Sequence, residues 1–188
     1  MSDLTITNAG VAVSANSAGS SISTGRRKII RVTPTLSTSE YADGDVLFQM
    51  TEIPNAVKED GGTSKMLGAY IIDKDQENDF GVDLMFFEKN TTELGGLKAT
   101  ADIGDDEIVA NNFCGILRQI YSVAKSSDID GLFIYKCKSI SDTNESVEPI
   151  LLQADTNSTS VYVSGVLNNG SPDFASANNL QIVLHIEY

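Results

Sequence analysis

The chain has no tryptophan, one histidine, two cysteines and four prolines in 188 residues, with 13 basic residues against 26 acidic ones. Each scarcity excludes something. His185 is the only imidazole, so a Ser-His-Asp or Cys-His arrangement has a single available base. That base lies near the C-terminus, and no G-x-S-x-G elbow exists to supply a nucleophile. Cys114 and Cys137 are too few for a disulfide scaffold, and no Cys/His spacing supports zinc. Each lies in an apolar stretch and reads as a buried small hydrophobe; a bond between them is left open by the sequence. No apolar run approaches the ~20 residues of a bilayer span. The start, Met1-Ser2-Asp3-Leu4-Thr5, lacks the basic and apolar regions of a secretory signal, which points to a soluble protein made in a cytoplasm. A formal net charge of -13 repels nucleic acid and anionic membranes, so neither is expected as a partner.

What is present begins with small residues. Residues 1–25 are nearly uncharged and poor in large apolar side chains, so they cannot bury enough surface to fold alone. They read as an extended arm, residues 1–27, that becomes ordered by lying on something else. Arg26-Arg27-Lys28 follows, the one basic cluster of an acidic chain. It suits either charged guards at the start of an edge strand or an anchor on an acidic partner.

Residues 28–188 carry the pattern of a single β domain. Short apolar runs at 29–32, 46–50, 66–72, 82–87, 116–123, 132–137, 150–152, 161–167 and 180–188 are separated by turn chemistry such as Asp43-Gly44-Asp45 and Asp60-Gly61-Gly62. The last run alternates, with Leu180, Ile182, Leu184 and Ile186 on one side and Gln181, Val183, His185 and Glu187 on the other, the mark of a strand with one face on a core. Segments 67–72 and 82–87 read as neighbouring antiparallel strands joined by a polar loop. One short helix is expected from Gly104-Asp105-Asp106-Glu107, with Asp105 as N-cap and Gly115 as its end. The expected fold is mainly β, an antiparallel β-sandwich or jelly-roll-like domain with one short helix and an extended N-terminal arm.

Cofactor and metal motifs fail on inspection. Asp73-Lys74-Asp75-Gln76-Glu77-Asn78-Asp79 has acids at alternate positions, but an EF-hand needs glycine at position six and a bidentate acid at twelve, where Asn78 and Leu84 stand. Gly61-Gly62-Thr63-Ser64-Lys65 has the ingredients of a phosphate loop without its order, and a strand follows in place of a helix; it reads as a hairpin turn. No catalytic residue, metal ligand or cofactor is assigned, and the chain is read as non-enzymatic. A sugar-binding module would need exposed aromatics, for which Tyr41, Tyr121 and Tyr162 are the candidates.

The order of several blocks resembles a family of tailed-phage virion proteins. These are Tyr41-Ala42-Asp43-Gly44-Asp45-Val46-Leu47, Ile53-Pro54-Asn55-Ala56-Val57, Gly61-Gly62, Ile71-Ile72-Asp73-Lys74-Asp75 and Asp83-Leu84-Met85-Phe86-Phe87, then Val161-Tyr162-Val163, Ser171-Pro172-Asp173-Phe174-Ala175-Ser176 and Asn179-Leu180-Gln181-Ile182. Phe174 stands where the family often has tyrosine. The resemblance spans residues 33–188 in blocks and brings no catalytic residues. It implies a bacteriophage structural protein, with capsid decoration, or cement, as the expected role. The expected partner is the major capsid protein, the expected state a homotrimer and the expected place the capsid exterior, after assembly in the host cytoplasm. On that reading Arg26, Arg27 and Lys28 anchor the arm. A tail, neck or fibre-associated virion protein and a carbohydrate- or receptor-binding module are the alternatives.

Overall fold

Alternating apolar residues need a second layer to cover them, and here the sheet supplies it by curling back on itself. The computed structural model describes residues 5–8, 11–14, 26–75, 80–119, 125–129, 132–139 and 149–188. Its elements, in chain order, are β1 (Thr5–Asn8), β2 (Val11–Ser14), β3 (Arg27–Val32), β4 (Val46–Ile53), β5 (Thr63–Asp73), β6 (Gly81–Phe87), α1 (Asp105–Ala110), β7 (Phe113–Gln119), β8 (Lys125–Ile129), β9 (Leu132–Ser139), β10 (Ile150–Gln153), β11 (Val161–Asn169) and β12 (Leu180–Glu187). Strands β3 to β12 form one antiparallel sheet in the order β3-β12-β5-β9-β7-β6-β11-β4, with β10 added to β5 and β8 to β9. The fold is thus mainly β and sandwich-like in a jelly-roll manner, as the sequence pattern predicts.

Strand β9 turns the corner between the two halves. Residues Phe133 to Cys137 pair with β5, whereas Lys138 and Ser139 pair with Arg118 and Leu117 of β7. The end strands β3 and β4 approach each other without a hydrogen-bonded ladder, and Lys28 Nζ donates to Asn55 O across this seam at 3.4 Å. Between the halves lies the main core, which includes Phe48, Phe80, Phe86, Phe174, Leu84, Leu184 and Ile186. Burying each such side chain contributes about 1.5–3 kcal/mol. Phe80 packs edge-on against both Phe174 and Tyr135. Buried hydroxyls and amides find backbone acceptors: Ser64 Oγ donates to Ala56 O, Ser164 Oγ to Phe48 O and Gln119 Nε2 to Phe80 O, at 2.7, 2.8 and 2.9 Å, as polar groups in a core must.

A second, smaller core lies on the outside of the β6–β11–β4 half. Met85 and Phe87 point away from the main core and pack with Val46, Leu94 and Val166, and Ile108 of α1 adds to them. Residues 88–112 therefore form a layer over that outer surface. Asn111, fully buried, stitches the layer together: its Oδ1 accepts from Thr91 N and Thr92 N, and its Nδ2 donates to Thr92 O and Glu107 O, all within 3.1 Å.

Several sequence expectations require correction. Strands β5 and β6 are not neighbours: β5 pairs with β12, β9 and β10, and β6 with β11 and β7. The expected hairpin turn at Gly61-Gly62-Thr63-Ser64-Lys65 is not one either: Thr63 already begins β5, and β4 pairs with β11 and β5 with β12 rather than with each other. Local alternation says that a segment is a strand without saying which partner offers the longer ladder. The helix cap is Gly104, not Asp105, because Glu107 Oε2 reaches back to accept from Gly104 N at 3.0 Å. The helix ends at Ala110, capped by Asn111, and Gly115 lies inside β7, where an added Cβ would stand 2.8 Å from Ile150 Cγ2. At the N-terminus, Thr5–Asn8 and Val11–Ser14 pair as an antiparallel ribbon, and β3 begins at Arg27.

Gly165 pairs with Phe48 because nothing larger fits: a Cβ there would meet the Phe48 ring at 2.3 Å. Gly165→Ala is expected to cost about 1–3 kcal/mol through overpacking, read as a lower urea midpoint at unchanged slope. Alkaline pH offers a second check. Burial raises the Tyr41 phenol above its ordinary 10.0 and the Cys137 thiol above its ordinary 9.0. The folded state holds both protons more tightly than the unfolded chain, so this stability is fully present below pH 9 and is lost as pH rises through these two ionisations. Tyr41→Phe is expected to flatten the fall above pH 10.0, measured by chemical denaturation across that range.

Candidate interaction surface

Arg26, Arg27 and Lys28 are all exposed, at the point where the N-terminal segment enters the sheet. Three contacts fix the backbone here. Tyr188 N donates to Arg26 O at 3.0 Å, Tyr188 Oη donates to Asn55 O at 2.7 Å, and Lys28 Nζ reaches the same carbonyl. Arg27 Nε donates to Glu187 Oε1 at 3.1 Å. The Arg27 side chain remains 75% exposed in this pair, so the bond contributes at most a fraction of a kcal/mol.

The register then extends the basic cluster in a way that sequence reading missed. Glu187 lies between Arg27 on β3 and Lys65 on β5. Two rows along, Val183 lies between Arg31 and Tyr70, and Tyr70 pairs with Lys136 of β9. Arg31, Lys65 and Lys136 are exposed. Their alternation opposite buried Ile30, Met66 and Cys137 puts them on the outer face of the β3–β12–β5–β9 half. They are dispersed over more than 100 positions of sequence, so only strand parity could have marked them as facing outward, and nothing local marked them as one surface. Exposed Ile29, Leu67 and Leu151 belong to the same outer surface. His185, half-buried, lies there with its ring 5.4 Å from that of Tyr70.

Other sequence candidates resolve differently. Tyr41 is not exposed: it is 2% accessible, its hydroxyl donates to Leu47 O and accepts from Ser37 N, and its ring packs edge-on against Phe174. Tyr162 is half-buried, and Tyr121 lies outside the described residues. In the acidic stretch, Asp73 closes β5 inside the core, and its Oδ1 accepts from Asp75 N at 2.9 Å. The Asp75 carboxylate accepts from Ala175 N, and residues 76–79 lie outside the described set. No group of three or more His, Cys, Asp or Glu side chains placed to hold a metal occurs among the described residues. A cavity of about 460 Å³ is lined by Lys58, Asp60, Gly61, Gly62 and Tyr188, among others, but β5 rather than a helix leaves the glycines, so the turn makes no phosphate cradle. Cys114 and Cys137 are free thiols, the first half-buried and the second fully buried.

On the outside of the other half, Arg118 Nε and Nη2 donate to both Asp83 oxygens at 2.6 Å, and Asn168 Nδ2 donates to Asp83 Oδ1. The Asp83 bond holds the Arg118 guanidinium above its ordinary pKa. This bidentate pair ties β6 to β7.

No family model matches the chain, and no curated protein matches it. Among solved structures, a chain titled "Structure of infectious bursal disease virus Gt strain" aligns with a TM-score of 0.21 and 12% identity, over 96% of this chain and 45% of that one. This chain therefore spans less than half the length of that one, and a likeness of this degree carries no argument.

The basic cluster adds little to the fold. Arg27→Ala and Lys28→Ala are each expected to lower stability by no more than about 0.5 kcal/mol, whereas Tyr188→Phe, which removes a hydrogen bond at the seam, is expected to cost about 1 kcal/mol. Urea denaturation of the three variants checks this ordering.

Proposed function

We propose that the chain is a non-catalytic virion component of a tailed phage that decorates the outside of the head, binding the major capsid protein lattice and stabilising it. The observation that carries this reading is the placement of Arg26, Arg27 and Lys28. They are held in position by Tyr188, Asn55 and Glu187, yet they remain exposed where the N-terminal segment leaves a β-sandwich of net charge -13. Cations at that root suit a segment that runs out over an acidic neighbour, where charge complementarity sets orientation and partner choice.

The ribbon of β1 and β2 adds to this. A two-stranded ribbon alone is marginal in water, and addition to a partner's sheet edge supplies the missing ladder. Trimeric clustering on the capsid exterior would multiply such contacts. The acidity of the remaining surface suits solvent exposure on a crowded particle. Burial of Tyr41 removes one of the aromatics on which the alternative, a carbohydrate-binding module, was based.

Binding of the purified protein to capsids that lack it, followed by co-sedimentation, tests the proposal. Wild type is expected to reach saturation. The combined variant Arg26→Glu, Arg27→Glu, Lys28→Glu is expected to bind at least about tenfold more weakly, and deletion of residues 1–25 to abolish binding with an unchanged urea midpoint. Full occupancy by the truncated protein would refute the anchoring role. Density for the chain on the tail or neck, in electron cryomicroscopy of the assembled particle, would replace the head assignment by an adaptor role.

A further inference from the structure

The two outward surfaces of the sandwich differ in charge, and both carry exposed apolar side chains. Outside the β3–β12–β5–β9 half, Ile29 (50% exposed), Leu67 (38%) and Leu151 (56%) lie on the surface that carries Arg31, Lys65 and Lys136. Among the described residues the register places one carboxylate there, Glu187, and Arg27 engages it. Outside the other half, the 88–112 layer and the start of β7 expose Ile103 (45%), Val109 (69%) and Phe113 (41%). Asp102, Asp105 and Asp106 are exposed beside them. That layer holds six acids, Glu88, Glu93, Asp102, Asp105, Asp106 and Glu107, against two bases, Lys89 and Lys98, and Lys89 is taken up by Glu88 and Asp155.

Single exposed apolar side chains are ordinary on a monomer, but apolar groups clustered within charge of one sign mark an interaction surface. We infer that the basic outer face of the β3–β12–β5–β9 half is a docking surface for a second copy of this chain, which presents its acidic 88–112 layer. The charge complementarity of the two surfaces names the occupant: Arg31, Lys65 and Lys136 meet Asp102, Asp105 and Asp106, and Ile29 and Leu67 meet Ile103 and Val109. Contact of like faces would set charge against like charge, which is strongly unfavourable. Because the two surfaces lie on opposite outsides of the sandwich, the contact is heterologous. Each copy uses one surface to receive and the other to dock, and the assembly closes into a ring or extends according to the rotation per copy. None of this depends on the capsid reading.

Sedimentation velocity on the full chain tests it. Wild type at low salt is expected to sediment above monomer mass, increasingly with concentration, and to revert toward monomer as salt is raised. The variant Arg31→Glu/Lys65→Glu and, separately, the variant Asp105→Lys/Asp106→Lys are each expected to self-associate at least about tenfold more weakly, with circular dichroism and urea midpoints reporting that both still fold. Mixed in equal amounts, the two reversed proteins regain opposite charge at every contact and are expected to co-assemble. A wild type that stays monomeric at all concentrations overturns the inference, including the case where the basic face serves a different acidic protein. Assembly indifferent to salt and to both reversals overturns it as well, as does a mixture that stays monomeric while each variant is folded.

Discussion

The architecture depends on the seat of the C-terminal strand. β12 lies between β3 and β5, with Leu180, Ile182, Leu184 and Ile186 fully buried and a ladder on both sides. Because side-chain direction alternates with period two, a slip of one residue would turn these four outward and bury Gln181, His185 and Glu187. The hydrophobic cost of that slip, several kcal/mol for four buried aliphatics, fixes the register. Fixing it also decides which cations share a surface, since Arg27 and Lys65 meet around Glu187, and Arg31 and Tyr70 around Val183, only in this alignment. The basic face is thus a by-product of core packing: the apolar side of β12 sets the position of its polar side.

The other half of the sandwich reaches its stability differently. Its β6 strand is apolar on both sides, with Val82, Leu84 and Phe86 in the main core and Met85 and Phe87 in the outer one. A strand of that composition cannot face water, and the 88–112 layer covers it through Leu94 and Ile108, organised by the four hydrogen bonds of Asn111. The cover brings its own charges, six acidic and two basic. Among the described residues the two outsides are therefore unlike, one a sheet face with bases and one a layer rich in acids.

This asymmetry gives the functional proposals a common physical basis. A strongly acidic surface resists indiscriminate adhesion, and in both proposals the specific contacts fall where cations and exposed aliphatics coincide. Arg26, Arg27 and Lys28 lie at the rim of that surface, next to the departing N-terminal segment. The wider face adds Arg31, Lys65 and Lys136. The arrangement allows attachment to one neighbour through the N-terminal segment and contact with another through the sheet.

By itself the sequence determined the fold class and the position of most strands, because alternation of apolar and polar residues is a local property. The run Leu180 to Glu187 identifies itself as a half-buried strand without help from any partner, and Gly104 to Glu107 announces the one short helix. The basic triplet was legible for the same reason, its three members being adjacent. Only the tertiary structure decided that β5 and β6 belong to different halves, that Tyr41 is a core residue, that Gly115 sits in a strand against Ile150, and that Arg31, Lys65 and Lys136 form one surface. Strand pairing is a competition among distant segments for ladder length and core volume. Its outcome depends on all of them at once, and no stretch of the chain contains it.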